Sequence, residues 1–242
     1  MKGKIARRLA RYLNRRDAEL AGQTAVITFT FDDAYSAACK IGAGIVESGG
    51  GRATYYVCGG FDRSPTSDPR YHSAADLRCL QGRGHEIACH GYAHLNYQET
   101  GTEEIQRDLD LNARYFEECE ILPPRNFAYP FGCVSPRVKS LCSDRFRSLR
   151  GVEASVNRHR VDLSLLKSVP LYSSSIKPAD IRLLVEQTRD TRSWLIFFAH
   201  DVTNAPNYFD VTPDLLSFAV TEAVRCNLPI LSMDAALDYY GL

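Results

Sequence analysis

Hydrophobic positions along the chain form short runs that alternate with segments of helical periodicity. Runs rich in β-branched and aromatic residues predict strands over residues 25–31, 53–57, 85–89, 126–129, 146–149, 165–171, 194–199 and 229–232. Helical spacing, often introduced by a capping residue or a proline, predicts helices over 37–48, 74–81 and 234–239 and others that begin near 102, 136, 178 and 213. This alternation is typical of a parallel sheet, and seven or eight such units predict one α/β barrel domain.

Ionisable residues directly follow three of the predicted strands. Asp32 and Asp33 end the first strand, His90 and His94 come after the third, and His200 follows the run at the seventh. Because strand ends meet at one mouth of a barrel, these side chains are expected to lie together. Two imidazoles and one carboxylate are the usual ligands of a hydrolytic metal ion, so Asp33, His90 and His94 are expected to bind a divalent cation.

The two remaining residues are candidates for proton transfer. Adjacent strand residues point to opposite faces, so Asp32 and Asp33 can serve one site only where the strand ends irregularly. Asp32 would then accept a proton from the attacking water, and His200, with a pKa ordinarily near neutrality, would protonate the leaving atom. Structural explanations stay open for both features, since an aspartate pair can form a turn and a histidine after an apolar run can be a core residue.

Composition narrows the class of partner. With 45% hydrophobic residues, 24% charged residues and zero net charge, the chain is an ordinary globular protein and is not expected to bind nucleic acid. Its eight cysteines are scattered without a CxxC pair, which favours reduced thiols. We find neither an apolar run of membrane-spanning length nor the apolar core of a secretion signal, and we therefore expect a cytoplasmic protein.

The amino-terminal segment has a charge pattern of its own. Residues 1–16 contain seven basic residues and no acidic residue. Ile5, Leu9 and Leu13 recur at helical spacing and predict a short helix with a narrow apolar stripe. Two interpretations follow: a solvated helix that packs across the bottom of the barrel, or a basic amphipathic helix that contacts anionic lipid on the inner face of the membrane.

Four motifs in order carry a family resemblance. They are Thr30-Phe31-Asp32-Asp33, His90-Gly91-Tyr92-Ala93-His94, Tyr129-Pro130-Phe131-Gly132 and Phe198-Ala199-His200-Asp201. This series resembles the polysaccharide deacetylases, the NodB-homology group also called carbohydrate esterase family four, over about residues 24–240. The resemblance implies a distorted (β/α)7 barrel over residues 21–242 after a basic helix in residues 1–20. It also implies one divalent metal ion, usually zinc and sometimes cobalt or nickel.

The resemblance also implies roles for individual residues. Asp32 becomes the general base and His200 the general acid, while Asp33, His90 and His94 become the metal ligands. The backbone amide of Tyr129, with Pro130 and Phe131 beside it, would form the oxyanion and substrate site.

Three positions depart from the family pattern. Gly91 stands where many members have serine or threonine, so one supporting hydroxyl is missing. The arginine that often opens the third motif is absent, and Arg150 or Lys167 would have to supply its charge. Asp162 is the candidate for the aspartate that orients the acid histidine.

These observations predict a metal-dependent hydrolase that removes N-acetyl groups from a saccharide containing an N-acetylhexosamine. For a cytoplasmic enzyme the substrate would be an oligosaccharide, a lipid-linked intermediate or a nucleotide sugar. Related alternatives are removal of another acyl group, such as formyl, and hydrolysis of a non-sugar amide. An alternative function from a different class is that of a non-catalytic saccharide-binding protein, which would need neither Asp32 nor His200.

Overall fold

Parallel strands in a single curved sheet form the centre of the protein. A computed structural model describes residues 2–20, 24–62 and 68–242. Its strands are β1 (Asp17–Glu19), β2 (Val26–Asp32), β3 (Thr54–Val57), β4 (Glu86–Cys89), β5 (Asn126–Ala128), β6 (Ser148–Arg150), β7 (Arg160–Asp162), β8 (Val169–Pro170) and β9 (Trp194–Ala199). Seven of these strands pair in the order β6-β5-β4-β3-β2-β9-β8, and every pairing is parallel. The remaining two, β1 and β7, form a separate antiparallel pair that the sequence pattern did not predict.

Helices connect the strands on the outside of the sheet. They are α1 (Lys2–Ala10), α2 (Ala43–Ser48), α3 (Ala74–Gly82), α4 (Thr102–Glu118), α5 (Pro136–Ser143), α6 (Pro178–Asp190), α7 (Pro213–Arg225) and α8 (Met233–Tyr239). The side chains of Ser73, Ser135 and Thr212 each accept a hydrogen bond from a backbone N–H in the first turn of the helix that follows. The structure confirms the predicted helix starts at 74, 136 and 213, and these capping hydrogen bonds explain them.

The two ends of the sheet come together through one short segment. Leu166 forms a parallel bridge with Arg150 of β6, and β8, a few residues later, pairs with β9. The strand predicted over 165–171 is therefore split between two neighbours, which closes the distorted (β/α)7 barrel. The strand predicted over 229–232 is reduced to a single bridge between Ile230 and Ile27. Ile27 lies near the start of β2, before the residues of β2 that pair with β3.

Side chains of the sheet alternate between the barrel interior and the surrounding helices. On β2 the outward residues, such as Phe29 and Phe31, belong to the large core beneath the helices. Inward residues such as Val26 join a second cluster with Tyr56 and Trp194. Continuing this alternation to the strand ends places Asp32, His90, Arg150 and His200 on the inner side of the same mouth.

The amino-terminal segment lies along one side of the barrel rather than across its bottom. Gly3 accepts a hydrogen bond from Gln98 at 3.3 Å, and Arg11 lies 3.2 Å from Glu153, which connects α1 to the loops after β4 and β6. Arg16 then reaches the carbonyl of Arg147, just before β6, at 3.1 Å. The chain thus runs from the mouth towards the opposite end, and the interpretation of a helix across the bottom is wrong.

The predicted apolar stripe of this segment does not face the barrel. Ile5, Leu9 and Leu13 are 57%, 47% and 47% exposed, whereas Ala10 is fully buried. The predicted boundary between residues 20 and 21 adjoins residues 21–23, which lie outside the described residues, as does Met1. No helix within the described ranges has the length and apolar character needed to cross a membrane.

Candidate metal centre

Asp33, His90 and His94 converge at the mouth of the barrel. Asp33 follows β2 with φ of 64°, a left-handed conformation that aspartate tolerates better than most residues. This turn lets two consecutive carboxylates serve one site. The Oδ1 atom of Asp33 lies 3.8 Å from Nε2 of His90 and 3.7 Å from Nε2 of His94. One ligand atom from each of the three residues lies within 4.8 Å of the others, as a shared cation requires.

The loop between the two histidines is held by a buried aspartate from α4. Asp108 accepts hydrogen bonds from the backbone N–H groups of Tyr92 and Ala93, both at 2.9 Å, and from the Tyr97 hydroxyl at 2.6 Å. Gly91 has φ of 77°, and a Cβ atom there would lie 2.7 Å from the Asp108 carboxylate. Position 91 therefore has no room for the hydroxyl residue of the family pattern. Asp108, which sequence reasoning missed, supports the loop in its place.

Gly91→Ala is expected to lower the free energy of unfolding by roughly 1–3 kcal/mol, since alanine disfavours this backbone conformation and would crowd Asp108. Gly44→Ala is the matched control: no atom lies within 4 Å of the added Cβ, and a helical glycine replaced by alanine gains up to about 1 kcal/mol. Urea unfolding of both variants checks this. Equal stabilities would contradict a requirement for glycine at position 91.

The ionisation states of Asp33, His90 and His94 suit a bound cation. The Nδ1 atom of His90 lies 2.8 Å from the carbonyl oxygen of Ala128, which can only accept, so Nδ1 carries the proton and Nε2 faces Asp33. Burial lowers the pKa of His90 to about 3 and that of His94 to about 4, so both imidazoles are neutral. Burial and the charge of Asp32 raise the pKa of Asp33 to about 7. A divalent cation would supply the positive charge that this buried carboxylate lacks, so the residues fit a metal ion.

Arg150 holds the second aspartate of the pair. Its Nη2 atom donates to both carboxylate oxygens of Asp32, at 2.5 and 2.6 Å. The guanidinium also lies over the rings of Tyr56 and Phe198, 5.0 and 4.9 Å from their centroids. Burial alone would raise the pKa of Asp32, but the charge and hydrogen bonds of Arg150 outweigh it and hold the pKa below its ordinary value. Asp32 is therefore ionised at neutral pH.

Two predicted supporting residues lie elsewhere. The backbone of Lys167 exchanges hydrogen bonds with the side chain of Asn157, and no contact joins Lys167 to Asp32 among the described residues. The carboxylate of Asp162 accepts from Lys139 at 2.6 Å and from the backbone N–H of Arg16 at 3.0 Å. Asp162 therefore holds the amino-terminal segment in place through Arg16. It makes no contact with His200 among the described residues.

His200 reaches the site from the end of β9. The ring is one of the groups that lower the pKa of Asp32 and of His94, so it lies within electrostatic reach of both. Its buried Nδ1 atom has no hydrogen-bond partner in the part of the chain that the structure describes. The ring packs instead near Phe209 and Tyr172, at centroid distances of 5.4 and 6.1 Å. Aromatic packing, rather than a carboxylate, sets its orientation here.

The third motif departs from the expectation for Tyr129. Its backbone N–H donates to the carbonyl of Arg150 at 3.1 Å and its hydroxyl to the carbonyl of Ser164 at 2.9 Å, so neither group is available to an oxyanion. Pro130 is buried and opens a short 3₁₀ turn. Phe131 follows with φ of 57°, 62% exposed, its ring centroid 4.3 Å from that of His94. Within the described ranges its N–H has no hydrogen-bond partner, which makes it the better candidate donor.

Comparisons with known proteins agree with this fold. The family model described as polysaccharide deacetylase matches residues 20–144, more than half of the chain. A candidate polysaccharide deacetylase from Mycobacterium smegmatis is 18% identical over 95% of both chains, with a TM-score of 0.67. A family 4 acetyl xylan esterase from Clostridium thermocellum, solved with a cobalt ion, is 16% identical over 90% of this chain and 92% of that chain, with a TM-score of 0.65. The peptidoglycan deacetylase PdaC from Bacillus subtilis is 14% identical over 90% and 93%, with a TM-score of 0.61. At these identities the likeness establishes the fold, and no curated protein matches the sequence significantly.

Proposed function

Because this chain belongs to the polysaccharide deacetylase family, we propose that it is a metal-dependent hydrolase that removes N-acetyl groups from a saccharide containing an N-acetylhexosamine. The observation that carries the proposal is that Asp33, His90 and His94 lie close enough together to share one ion, with an ionised Asp32 beside them. Zinc suits this donor set best, with cobalt or nickel as alternatives. A divalent ion held there would make water nucleophilic at neutral pH and polarise the amide carbonyl.

Two residues of the protein would carry out the two proton transfers of the reaction. Asp32 accepts a proton from the attacking water, and the two hydrogen bonds from Arg150 keep its carboxylate ionised and fixed. His200 gives a proton to the departing nitrogen, because an amine leaves readily only when it is protonated. The N–H of Phe131, which has no hydrogen-bond partner among the described residues, would donate to the oxyanion that develops on the amide oxygen.

Exposed aromatic rings around the mouth favour a saccharide over a small amide. Phe131, Tyr208 and Phe209 are 62%, 64% and 52% exposed, and the ring of Phe209 lies 5.4 Å from that of His200. Such rings offer large, rigid apolar faces against which the C–H faces of sugars can pack.

We further propose a cytoplasmic location, with an oligosaccharide, a lipid-linked intermediate or a nucleotide sugar as the substrate. Contact of residues 1–16 with an anionic membrane belongs to the same proposal. The exposed side chains of Ile5 and Leu9 support it, because a helix packed only on protein would bury its apolar stripe.

A substrate panel tests the reaction. Zinc-loaded protein is incubated with N-acetylglucosamine oligomers, lipid-linked N-acetylated sugars and the matching formamido sugars, and released amine, acetate and formate are quantified by mass spectrometry. We expect acetate with an equal amount of free amine, and about 10²–10⁴-fold slower release of both from Asp32→Asn. Formate alone would shift the proposal to a deformylase. No release of either acid from stoichiometrically metal-loaded protein would contradict the hydrolase.

A further inference from the structure

A cationic groove lies between the amino-terminal segment and the loop that follows β6. It encloses about 330 Å³, which is within the range of small-ligand sites. Its cationic lining residues are Arg11, Arg15, Arg158, Arg160 and Lys167. None of these belongs to the metal centre, so the groove is a second feature with chemistry of its own.

Positive charge is in excess at this groove. Arg11 pairs with Glu153 at 3.2 Å, and Arg15 and Arg160 share the single carboxylate of Asp17 at 2.6 and 2.9 Å. Asp162 also lines the groove, but its carboxylate is neutralised by Lys139 at 2.6 Å. Arg158 and Lys167 have no ion-pair partner among the residues that the structure describes. Two unpaired cations in a concave site are suited to a phosphate group.

The groove borders an exposed apolar stripe. We define this stripe as Ile5, Leu9, Tyr12 and Leu13, which are 57%, 47%, 77% and 47% exposed. The N–H groups of Tyr12 and Leu13 both donate to the carbonyl of Leu9 at 3.0 Å, so the stripe continues along one helical surface beyond α1. Tyr12 also lines the groove, which makes the apolar and cationic surfaces continuous.

We propose that this combined surface docks on an anionic bilayer, with the groove binding a phospholipid phosphate and the stripe entering the apolar boundary. A soluble phosphate ester would pair with the cations but would leave the stripe in water. An anionic bilayer would both pair with the cations and bury the stripe. The chain after residue 16 has more acidic than basic residues even though it includes Arg158, Arg160 and Lys167, so the protein outside this surface carries a net negative charge.

The docking surface begins near the metal centre and runs along the side of the barrel towards the opposite end. Arg7 contacts the sulfur of Cys133 at 3.6 Å, two residues after Phe131, whose ring packs against His94. Docking would therefore bring the mouth close to the bilayer and to saccharides carried by lipid. This consequence rests on the proposed function, whereas membrane binding itself requires no catalysis and is measured separately.

Vesicle co-sedimentation of the full chain tests the groove. We expect binding to vesicles rich in phosphatidylglycerol at low salt, little binding to phosphatidylcholine, and loss of binding as salt rises. The double variant Arg158→Gln/Lys167→Gln should bind on the order of 30-fold more weakly, from about 1 kcal/mol per cation near the surface. Arg107→Gln/Arg114→Gln, which removes two exposed cations from the outer face of α4, should bind like the wild type. Equal binding by the two double variants would overturn the groove assignment.

A second pair of variants tests the stripe. Ile5→Gln/Leu9→Gln should weaken vesicle binding at least about tenfold, given the apolar area withdrawn from the bilayer. Leu122→Gln/Leu183→Gln, two apolar positions elsewhere that are more exposed than Ile5 and Leu9, should leave it unchanged. If the stripe variant binds vesicles like the wild type, the stripe takes no part in docking and the combined surface is overturned. If glycerol phosphate saturates the groove in equilibrium dialysis while the wild type ignores vesicles, the ligand is a soluble phosphate. Failure of the wild type to bind anionic vesicles would also overturn the membrane proposal.

Discussion

Asp32→Asn is expected to lower kcat by about 10²–10⁴-fold while bound metal stays stoichiometric. Asparagine preserves the shape of the side chain but cannot accept a proton from water, and Asp33, His90 and His94 remain to hold the ion. His94→Ala is the contrasting variant, because it removes a ligand and should lose metal and activity together. Metal content after dialysis and kcat on the same protein samples separate the two effects.

His200→Ala extends the same test to the opposite proton transfer. It should also keep the metal and lose about 10²–10⁴-fold in kcat, and the alkaline limb of its pH profile should flatten because the acid is gone. The assignment of roles would fail if Asp32→Asn turned over substrate at the wild-type rate. Stoichiometric metal in dialysed His94→Ala would contradict the ligand set.

Local sequence patterns were sufficient to predict most strands of the large sheet and the convergence of Asp33, His90 and His94, because both depend on short-range information. A run such as 194–199 is apolar at every position because both faces of its strand are buried. Ionisable residues immediately after such runs must lie at a strand end. Parallel strands bring these ends to one mouth, so Asp33 and His90 could be placed together from residues far apart in the chain.

Sequence spacing could not decide whether Arg150 or Lys167 supplies the positive charge beside Asp32, because the answer depends on tertiary structure. Arg150 ends β6, in phase with Ser148, so it points into the barrel towards Asp32. Lys167 lies in the irregular segment between Leu166 and β8, where alternation is interrupted and side-chain direction cannot be read from the pattern.

The donor at the third motif was misassigned for a similar reason. Tyr129 follows β5 and still takes part in pairing with β6, which occupies its N–H. Phe131 has a positive φ, and nothing about a phenylalanine in sequence indicates that conformation. The exposed stripe of α1 was equally ambiguous, since periodicity predicts an apolar face but not the surface that covers it.

Arg150→Met is expected to impair both stability and catalysis. Removing one partner from a buried ion pair typically costs about 3–5 kcal/mol, because the other charge stays buried without compensation. Arg150 and Asp32 are 1% and 4% exposed, so this penalty applies with little solvent screening. Arg150→Lys should recover part of the loss, since it restores the charge without the paired hydrogen bonds. Arg147→Met, which breaks a more exposed pair with Asp234 before β6, is the control that should leave kcat unchanged.

The pH dependence distinguishes this role of Arg150 from simple packing. In the wild type the pKa of Asp32 lies below its ordinary value, so the base is ionised throughout the neutral range. The stability that this pair contributes is present above the ordinary aspartate pKa and is lost as pH falls through the lowered one. Without Arg150, burial raises the pKa of Asp32, and the acid limb of kcat/KM should move to higher pH. Activity should then fall about tenfold for each unit by which that pKa exceeds the assay pH. An acid limb that stays in place in Arg150→Met, with kcat lowered equally at every pH, would show that Arg150 only fills space beside Asp32.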